Sequence, residues 1–359
     1  MTHGPIPVSV LTGFLGAGKT TLLNRLLKDP ALADTAVIIN EFGDVAIDHL
    51  LVESSSDGVI QLADGCLCCT VRGDLVDTLA DLVDRLQTGR IGALKRVFIE
   101  TTGLADPAPV LQSIMGHPAL VEAYRLDGVI ALVDAVNGEA TLDNHVEALK
   151  QVAVADRIVL AKTDLVAGTD ASAALRSRLR DINPSAPIVD VQAPEAGHAA
   201  LFDCGLYNPE TKTADVRRWL GEEAEHAHIN HGDDHGHDHA GHGHHRHDER
   251  IKTFTLVHDR PVPFSTIEMF LDLLCSAHGD KLLRIKGIVE LAEDPSRPLV
   301  VHGVQSLLHP PARLPAWPDE VRGTRLVLIT LAMPEVYVRR MFSAFTNTPS
   351  VDTPDRTAV

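Results

Sequence analysis

The sequence lacks three features that would assign it to common classes of protein. It has no excess of positive charge, because 49 acidic residues outweigh 32 lysines and arginines and give a formal net charge of −17. That charge argues against a nucleic-acid partner, which needs a basic surface. No apolar run approaches the ~18 residues of a membrane span. The N-terminus has no basic region followed by an apolar one, so we expect neither a membrane partner nor a secretory signal.

The sequence also lacks the paired cysteines of a disulfide framework. Its five cysteines are an odd number, and Cys66, Cys68 and Cys69 fall within four positions. This pattern predicts a reducing, cytoplasmic location and metal or redox chemistry at the cluster. Cys204 and Cys275 stand alone and are expected to be inert.

The most informative stretch is Gly13–Thr20, which fits the phosphate-binding pattern G-x-x-x-x-G-K-[ST] at every fixed position. A short buried strand is predicted before it, at Ile6–Leu11, and apolar residues at helical spacing follow it. Lys19 is predicted to reach the β- and γ-phosphates, and the Thr20 hydroxyl to bind Mg²⁺. With both flanks agreeing, an ordinary glycine-rich turn is the weaker interpretation.

Two further predicted strands end in polar residues. The polar segment Asn40–His49 follows the strand Thr35–Ile39. Its position at a strand end is typical of a nucleotide-sensing switch, and a solvated loop is the alternative. Glu100 ends the strand that begins at Arg96, where P-loop enzymes hold Mg²⁺ directly or through water. Gly103 follows closely and can bring the backbone to the γ-phosphate.

A base-reading segment follows the predicted strand Arg157–Leu160. Residues 161–164 (AKTD) resemble the N-K-x-D motif of GTPases. The Asp164 carboxylate can accept two hydrogen bonds from guanine, and the Lys162 stem can lie along the purine. Ala161 stands where asparagine is usual, so one polar contact to the base is missing.

The cysteine cluster has the form C-x-C-C within Asp64–Thr70. Thiolates bind soft and borderline cations, and the flanking residues indicate a turn rather than a core strand. We favour metal binding over the alternative that the cysteines are only small buried side chains. Redox chemistry of the same thiols is the competing function.

The alternation of strands and helices predicts an α/β fold, a P-loop NTPase domain with a mostly parallel sheet over residues 1–205. A linker at 206–249 holds ten of the 19 histidines, from His226 to His247. It is expected to be disordered, and to capture transition metals weakly or to serve only as a hydrophilic spacer. A small α+β domain is predicted at 250–348, with a disordered tail at 349–359.

Together these motifs resemble the CobW-type P-loop GTPases, a family proposed to act as metallochaperones or in metallocofactor insertion. The resemblance covers nearly the whole chain. It is carried by Thr12–Thr21, Asn40–Gly43, Gly65–Thr70, Glu100–Pro107, Asp127–Ala135, Lys162–Leu165 and Leu282–Gly287.

The resemblance implies slow GTP hydrolysis, with GTP and Mg²⁺ as cofactors, coupled to binding of a transition metal. It implies that Cys66 and Cys68, with Cys69, are internal metal ligands. Asp44 stands where relatives often have glutamate and could add an oxygen ligand to the metal or position water. His117 matches a histidine proposed as a metal ligand in some relatives, or is a surface histidine. The implied nucleotide contacts are Gly13, Gly16, Ala17, Gly18, Lys19, Thr20, Thr21, Gly103, Lys162 and Asp164.

The function implied is delivery of Zn²⁺ to a client metalloenzyme, with Co²⁺ delivery for cobalamin synthesis as the alternative. The C-terminal domain would bind the client or a second copy of the chain, as in a homodimer. Two other functions stay open. One is a GTPase switch with a structural metal, and the other is a metal store dominated by the histidine tract.

Overall fold

The computed structural model describes residues 4–40, 71–166, 171–193, 197, 201–202 and 250–347, with the backbone alone at 40, 71–74 and 171. The chain divides into two compact units, Met1–Arg246 and His247–Val359. The predicted switch after Asn40, the cysteine cluster, a short strand that the sequence predicts at 58–62 and the histidine tract lie outside the described residues. Both predicted linker boundaries lie there too, as does Cys204.

The first unit contains a six-stranded sheet in the order β2-β3-β1-β4-β5-β6, and every neighbouring pair is parallel. This confirms the predicted α/β fold with a parallel sheet. The strands are β1 Ile6–Gly13, β2 Thr35–Asn40, β3 Arg96–Thr101, β4 Tyr124–Asp134, β5 Arg157–Ala161 and β6 Ile188–Asp190. The β-branched runs of β1 to β5 are largely buried on both faces, as parallel strands between helical layers must be, whereas β6 at the sheet edge is half-buried.

Six helices belong to the described part of this unit: α1 Lys19–Leu26, α2 Val71–Gln87, α3 Ala108–Gly116, α4 Gly138–Asn144, α5 Val146–Val154 and α6 Ala171–Ile182. Three of them, α3, α4 and α5, fall where the sequence analysis assigns no element. They are needed because a parallel crossover between β3 and β4, or β4 and β5, must return the chain along the sheet. Each is only seven to nine residues long, so its sequence shows little helical periodicity to recognise.

The second unit contains an antiparallel sheet in the order β10-β9-β8-β12-β7, with β11 paired to β9. Its strands are β7 Ile251–His258, β8 Leu282–Val289, β9 Leu299–Val304, β10 Leu307–Leu308, β11 Ala312–Arg313 and β12 Thr324–Leu331. Two helices, α7 Phe264–His278 and α8 Glu335–Phe345, pack on the sheet through a shared core, where the rings of Phe270 and Phe342 lie 5.1 Å apart. The predicted α+β character of this region is confirmed. Within the described residues, no helix combines the length and the apolar character that a membrane crossing requires.

Candidate nucleotide-binding site

The phosphate loop joins β1 to α1, as the sequence predicts. Gly13 and Gly18 have φ angles of 146° and 97°, which side chains rarely allow. A Cβ at Gly13 would lie 2.5 Å from the carbonyl oxygen of Leu132, so the loop can pass β4 only with glycine at this position. Gly18 directly precedes the first turn of α1. The loop therefore leads to a helix N-terminus, where backbone N–H groups and the helix dipole favour a phosphate.

The Lys19 ammonium is held inside this loop. Its Nζ donates to the carbonyl oxygens of Gly13 and Phe14 at 3.0 and 3.4 Å. The side chain is largely buried, as is Ala17, whereas Thr21, two positions further along α1, is exposed. The loop thus concentrates positive charge where a nucleotide's phosphates would lie.

Thr20 and Glu100 meet at the carboxyl ends of β1 and β3. The Thr20 Oγ1 donates to Glu100 Oε1 at 3.1 Å, and Glu100 is only 4% exposed. A hydroxyl and a carboxylate are the hard oxygen donors that Mg²⁺ prefers beside substrate phosphates. These residues therefore fit a Mg²⁺ ion, as the sequence analysis proposes.

The turn after β3 lies against the phosphate loop. A hydrogen bond of 3.1 Å from Ala105 N to Thr102 O closes the turn. A Cβ at Gly103 would lie 2.6 Å from the backbone nitrogen of Leu15, so only glycine permits this approach. Gln151, on α5, donates to the carbonyl oxygens of Gly103 and Ala105 at 3.1 and 3.0 Å.

Gln151 was missed in the sequence analysis because α5 was not recognised. The sequence signal that could have identified Gln151 is a single amide side chain among the apolar residues of a short helix. A buried amide must find a hydrogen-bond partner.

The predicted base-reading residues, Lys162 and Asp164, directly follow β5. Lys162 has a left-handed φ of 59°, and its Nζ donates to Asp134 Oδ2 at 2.7 Å. Asp164 accepts a hydrogen bond of 3.1 Å from Gln192 Nε2. Both predicted base contacts therefore have their side chains positioned by neighbours, Asp134 and Gln192, which the sequence analysis did not identify.

Asn137 adds a second contact to Asp134, donating through Nδ2 at 3.0 Å. Burial raises the pKa of the Asp134 carboxyl, but hydrogen bonds from Lys162, Asn137 and Val136 outweigh burial and hold that pKa below its ordinary value. Asp134 stays ionised and so keeps the Lys162 ammonium in place.

A cavity of about 240 Å³ borders the phosphate loop. Its lining includes Phe14 and Ala17 of the loop, Asn137 at the start of α4, Gln151 and Lys162. The phosphate loop, the turn after β3 and the base-reading segment are therefore adjacent to one helical pair, α4 and α5.

The predicted transition-metal ligands are only partly within the described residues. Cys66, Cys68, Cys69 and Asp44 lie outside them. His117 is exposed and follows α3, at the opposite end of that helix from Gly103, and its Nδ1 accepts from Ala119 N at 3.3 Å. Over the described ranges, no three His, Cys, Asp or Glu side chains are grouped to hold a metal. The metal roles of these five residues stay predictions.

The sheet order, the phosphate loop, its lysine and the Thr20–Glu100 pair define a P-loop nucleotide-binding domain. The chain belongs to the CobW family of such proteins. Residues 7–190 match the family model "CobW/HypB/UreG, nucleotide-binding domain", and residues 251–346 match "Cobalamin synthesis protein cobW C-terminal domain".

Similar proteins extend over nearly the whole chain. "Zinc chaperone YjiA" of Escherichia coli is 36% identical over 339 residues, covering 94% of this chain and 98% of the relative. "Zinc chaperone CobW" of Sinorhizobium sp. is 31% identical, covering 95% and 98%. The crystal structure of Zn(II)-bound YjiA GTPase from E. coli matches with a TM-score of 0.68 and 33% identity, covering 96% of this chain and 99% of that chain.

Proposed function

We propose that this chain is a GTP-hydrolysing zinc chaperone, which binds Zn²⁺ at the cysteine cluster and releases it to a client protein as the nucleotide changes. The observation that carries the proposal is the Thr20–Glu100 pair at 3.1 Å, next to Lys19 in the phosphate loop. It is the donor set that positions Mg²⁺ for phosphoryl transfer. Two relatives that span the chain are named zinc chaperones, and the YjiA structure is named a GTPase.

In the proposed reaction the phosphate loop binds the β- and γ-phosphates through backbone N–H groups and Lys19. Thr20 and Glu100 hold Mg²⁺, which supplies neutralisation of the negative charge on the phosphates. Asp164 accepts hydrogen bonds from the guanine edge, and Lys162, fixed by Asp134, packs along the purine. Hydrolysis is proposed to be slow, as the resemblance to the family implies.

The metal site is proposed on the segment between β2 and α2. Asn40, the last residue of β2, pairs in register with Thr101, directly after Glu100. The chain that carries Asp44 and Cys66, Cys68 and Cys69 therefore leaves the sheet beside the Mg²⁺ residues. A segment that begins at this position can respond to the γ-phosphate and reorganise the zinc ligands, with His117 as a further candidate.

Coupling between the two ligands follows thermodynamic linkage. If GTP tightens the zinc site, zinc must raise the affinity for GTP by the same factor. Loss of the γ-phosphate then removes the stabilising contacts and weakens zinc binding. A shift from 1:99 to 99:1 between the two states would need a difference of about 5.5 kcal/mol.

The remaining parts of the chain have supporting roles in this proposal. The histidine tract from His226 to His247 raises the local zinc concentration. The C-terminal domain binds the client metalloenzyme or a second copy of the chain. The activity is placed in the cytoplasm, because free thiolates persist there.

The test is the affinity for Zn²⁺, measured by chelator competition on protein that lacks residues 226–247, with GTP-Mg²⁺ and with GDP-Mg²⁺. We expect stoichiometric binding with GTP, weakened about 10-fold or more with GDP, which is about 1.4 kcal/mol. The Cys66→Ser variant is the matched control and should lose the tight site in both states. Equal zinc affinity with the two nucleotides would refute nucleotide-gated delivery.

Cobalt is the second candidate, because the C-terminal match carries the description of a cobalamin synthesis protein. Parallel titrations with Co²⁺ separate the two metals. Stronger nucleotide gating for Co²⁺ than for Zn²⁺ would favour cobalt delivery.

A rate of GTP turnover that does not depend on metal and is unchanged in Cys66→Ser would indicate a GTPase switch. Loss of nearly all metal uptake on removing residues 226–247 would indicate a store.

A further inference from the structure

We infer that Gln151 is a positioning residue for GTP hydrolysis, which holds the turn Thr102–Ala105 where the Gly103 backbone can meet the γ-phosphate. The inference rests on the proposed GTPase activity and adds a residue to it. It starts from the two hydrogen bonds that Gln151 Nε2 donates to Gly103 O and Ala105 O.

The burial of Gln151 makes these hydrogen bonds consequential. The residue is 1% exposed, and its neighbours in α5 include the buried Leu149 and Val152. A buried amide without partners costs roughly 1–3 kcal/mol. Packing alone therefore does not explain a glutamine at position 151. Its Nε2 donates hydrogen bonds to two carbonyl oxygens of the turn.

The turn has little freedom on its other side. Gly103 touches the phosphate loop so closely that a Cβ would lie 2.6 Å from Leu15 N. The turn is therefore held between the phosphate loop on one side and Gln151 of α5 on the other. A displaced turn would separate the Gly103 backbone from the loop that binds the phosphates.

The same helix is tied to the site at two further points. The ring of His145, which directly precedes α5, lies 4.3 Å from the ring of Phe14 in the phosphate loop. Lys150 forms an ion pair of 2.9 Å with Asp106, directly after the turn. One short helix therefore sets the spacing between the phosphate loop and the turn after β3, and Gln151 is its buried contact.

The test compares Gln151→Leu, which keeps most of the volume and loses the amide, with wild-type full-length protein. We expect kcat for GTP to fall about 10-fold and the Kd of a non-hydrolysable GTP analogue to rise about 10-fold. The Kd of GDP should stay within about 2-fold, because GDP lacks the phosphate that meets Gly103. If Gln151 only stabilised the fold, the variant would weaken the binding of the GTP analogue and of GDP by the same factor.

Asn183 offers a matched control. It is fully buried, and its Nδ2 donates to the carbonyl oxygens of Val152, Ala153 and Ala155 at the C-terminal end of α5. Asn183→Leu should lower the melting temperature and leave kcat and the ratio of GTP to GDP affinity unchanged. The inference is wrong if folded Gln151→Leu keeps both quantities within about 2-fold of wild type, or if Asn183→Leu lowers them equally.

A second variant covers the case in which Gln151→Leu does not fold. Lys150→Met breaks the ion pair with Asp106 at a site where both side chains are about a quarter exposed, so the core is retained. We expect kcat to fall about 3-fold, and an unchanged kcat would overturn the inference. Wild-type protein without GTP turnover would refute the proposed function as well. Normal wild-type turnover with unaffected variants refutes the role of Gln151 alone.

Discussion

The Thr20 hydroxyl donates a 3.1 Å hydrogen bond to the Glu100 carboxylate, joining residues that are 80 positions apart in the chain. The contact exists because β1 and β3 are parallel neighbours, with Leu11 opposite Glu100 in register. The phosphate loop then turns back and places the first turn of α1 over the end of β3. Sheet register therefore brings the two proposed Mg²⁺ donors together, and neither of them alone would define the site.

Replacing Glu100 with glutamine should remove the carboxylate from this pair while keeping its size. We expect kcat for GTP to fall about 100-fold, because Mg²⁺ loses an anionic oxygen close to the phosphates. The concentration of Mg²⁺ that gives half-maximal turnover should rise. Phosphate release measured across a Mg²⁺ titration checks both effects. Glu122→Gln, at an exposed acid before β4, is the control, and equal behaviour of the two variants would contradict this role of Glu100.

Replacing Asp134 with asparagine should produce a stability difference that depends on pH. The pKa of the Asp134 carboxyl is held below its ordinary value of 3.8, because hydrogen bonds from Lys162 and Asn137 outweigh the effect of burial. A carboxyl with a lowered pKa stabilises the folded state above its unfolded pKa, and this stabilisation is lost as pH falls through the folded pKa. Wild type should therefore be more stable than Asp134→Asn by a constant margin above about pH 5. The margin should shrink as pH falls below 3.8.

Urea denaturation on both sides of that pH measures the margin between wild type and Asp134→Asn. Asp181→Asn, at an exposed carboxylate in α6, is the control. If the stability advantage of wild type over Asp134→Asn grew as pH fell, the ionised Asp134 carboxylate would destabilise the folded state. That result would contradict its ion pair with Lys162.

Local pattern was sufficient to predict much of the nucleotide-binding fold. The phosphate loop is predictable because Gly13, Gly18 and Lys19 occupy fixed spacings that backbone geometry demands. Glu100 is predictable because it ends a buried strand, and parallel strands direct their carboxyl ends to one edge of a sheet. These inferences need only the sequence order and the handedness of crossovers.

Other parts of the site depend on pairing that local sequence does not encode. Asp134 holds Lys162 because β4 and β5 align Asp134 opposite Ala161, a register that becomes visible only in the sheet. Gln151 reaches Gly103 because α4 and α5 are separated at His145, which has an extended backbone between two short helices. Because α5 is only nine residues long, its periodicity alone does not predict which face meets the turn.

Cys275 should resist alkylation in the folded protein. Burial, together with the nearby Asp272 carboxylate, raises the pKa of this thiol to about 11. Because the thiolate is the reactive form, little of it exists near neutral pH. Iodoacetamide treatment followed by mass spectrometry should leave Cys275 unmodified in native protein and modify it in urea. Modification of Cys275 at equal rates under both conditions would contradict its burial.

Removing Asp127 should destabilise the nucleotide-binding unit strongly. Its Oδ2 accepts a hydrogen bond of 2.9 Å from the Ser9 hydroxyl and pairs with Arg96, and both charged side chains are buried. Asp127→Ala leaves the Arg96 guanidinium in the interior without this carboxylate, so we expect a loss of about 3–5 kcal/mol in the free energy of unfolding. Lys95→Ala removes an ion pair with Asp34 in which Lys95 is 67% exposed, and it should cost less than about 1 kcal/mol. Urea denaturation of both variants measures the difference. Similar losses would mean that Arg96 finds other compensation, and that the Ser9–Asp127–Arg96 network contributes no more than a surface pair.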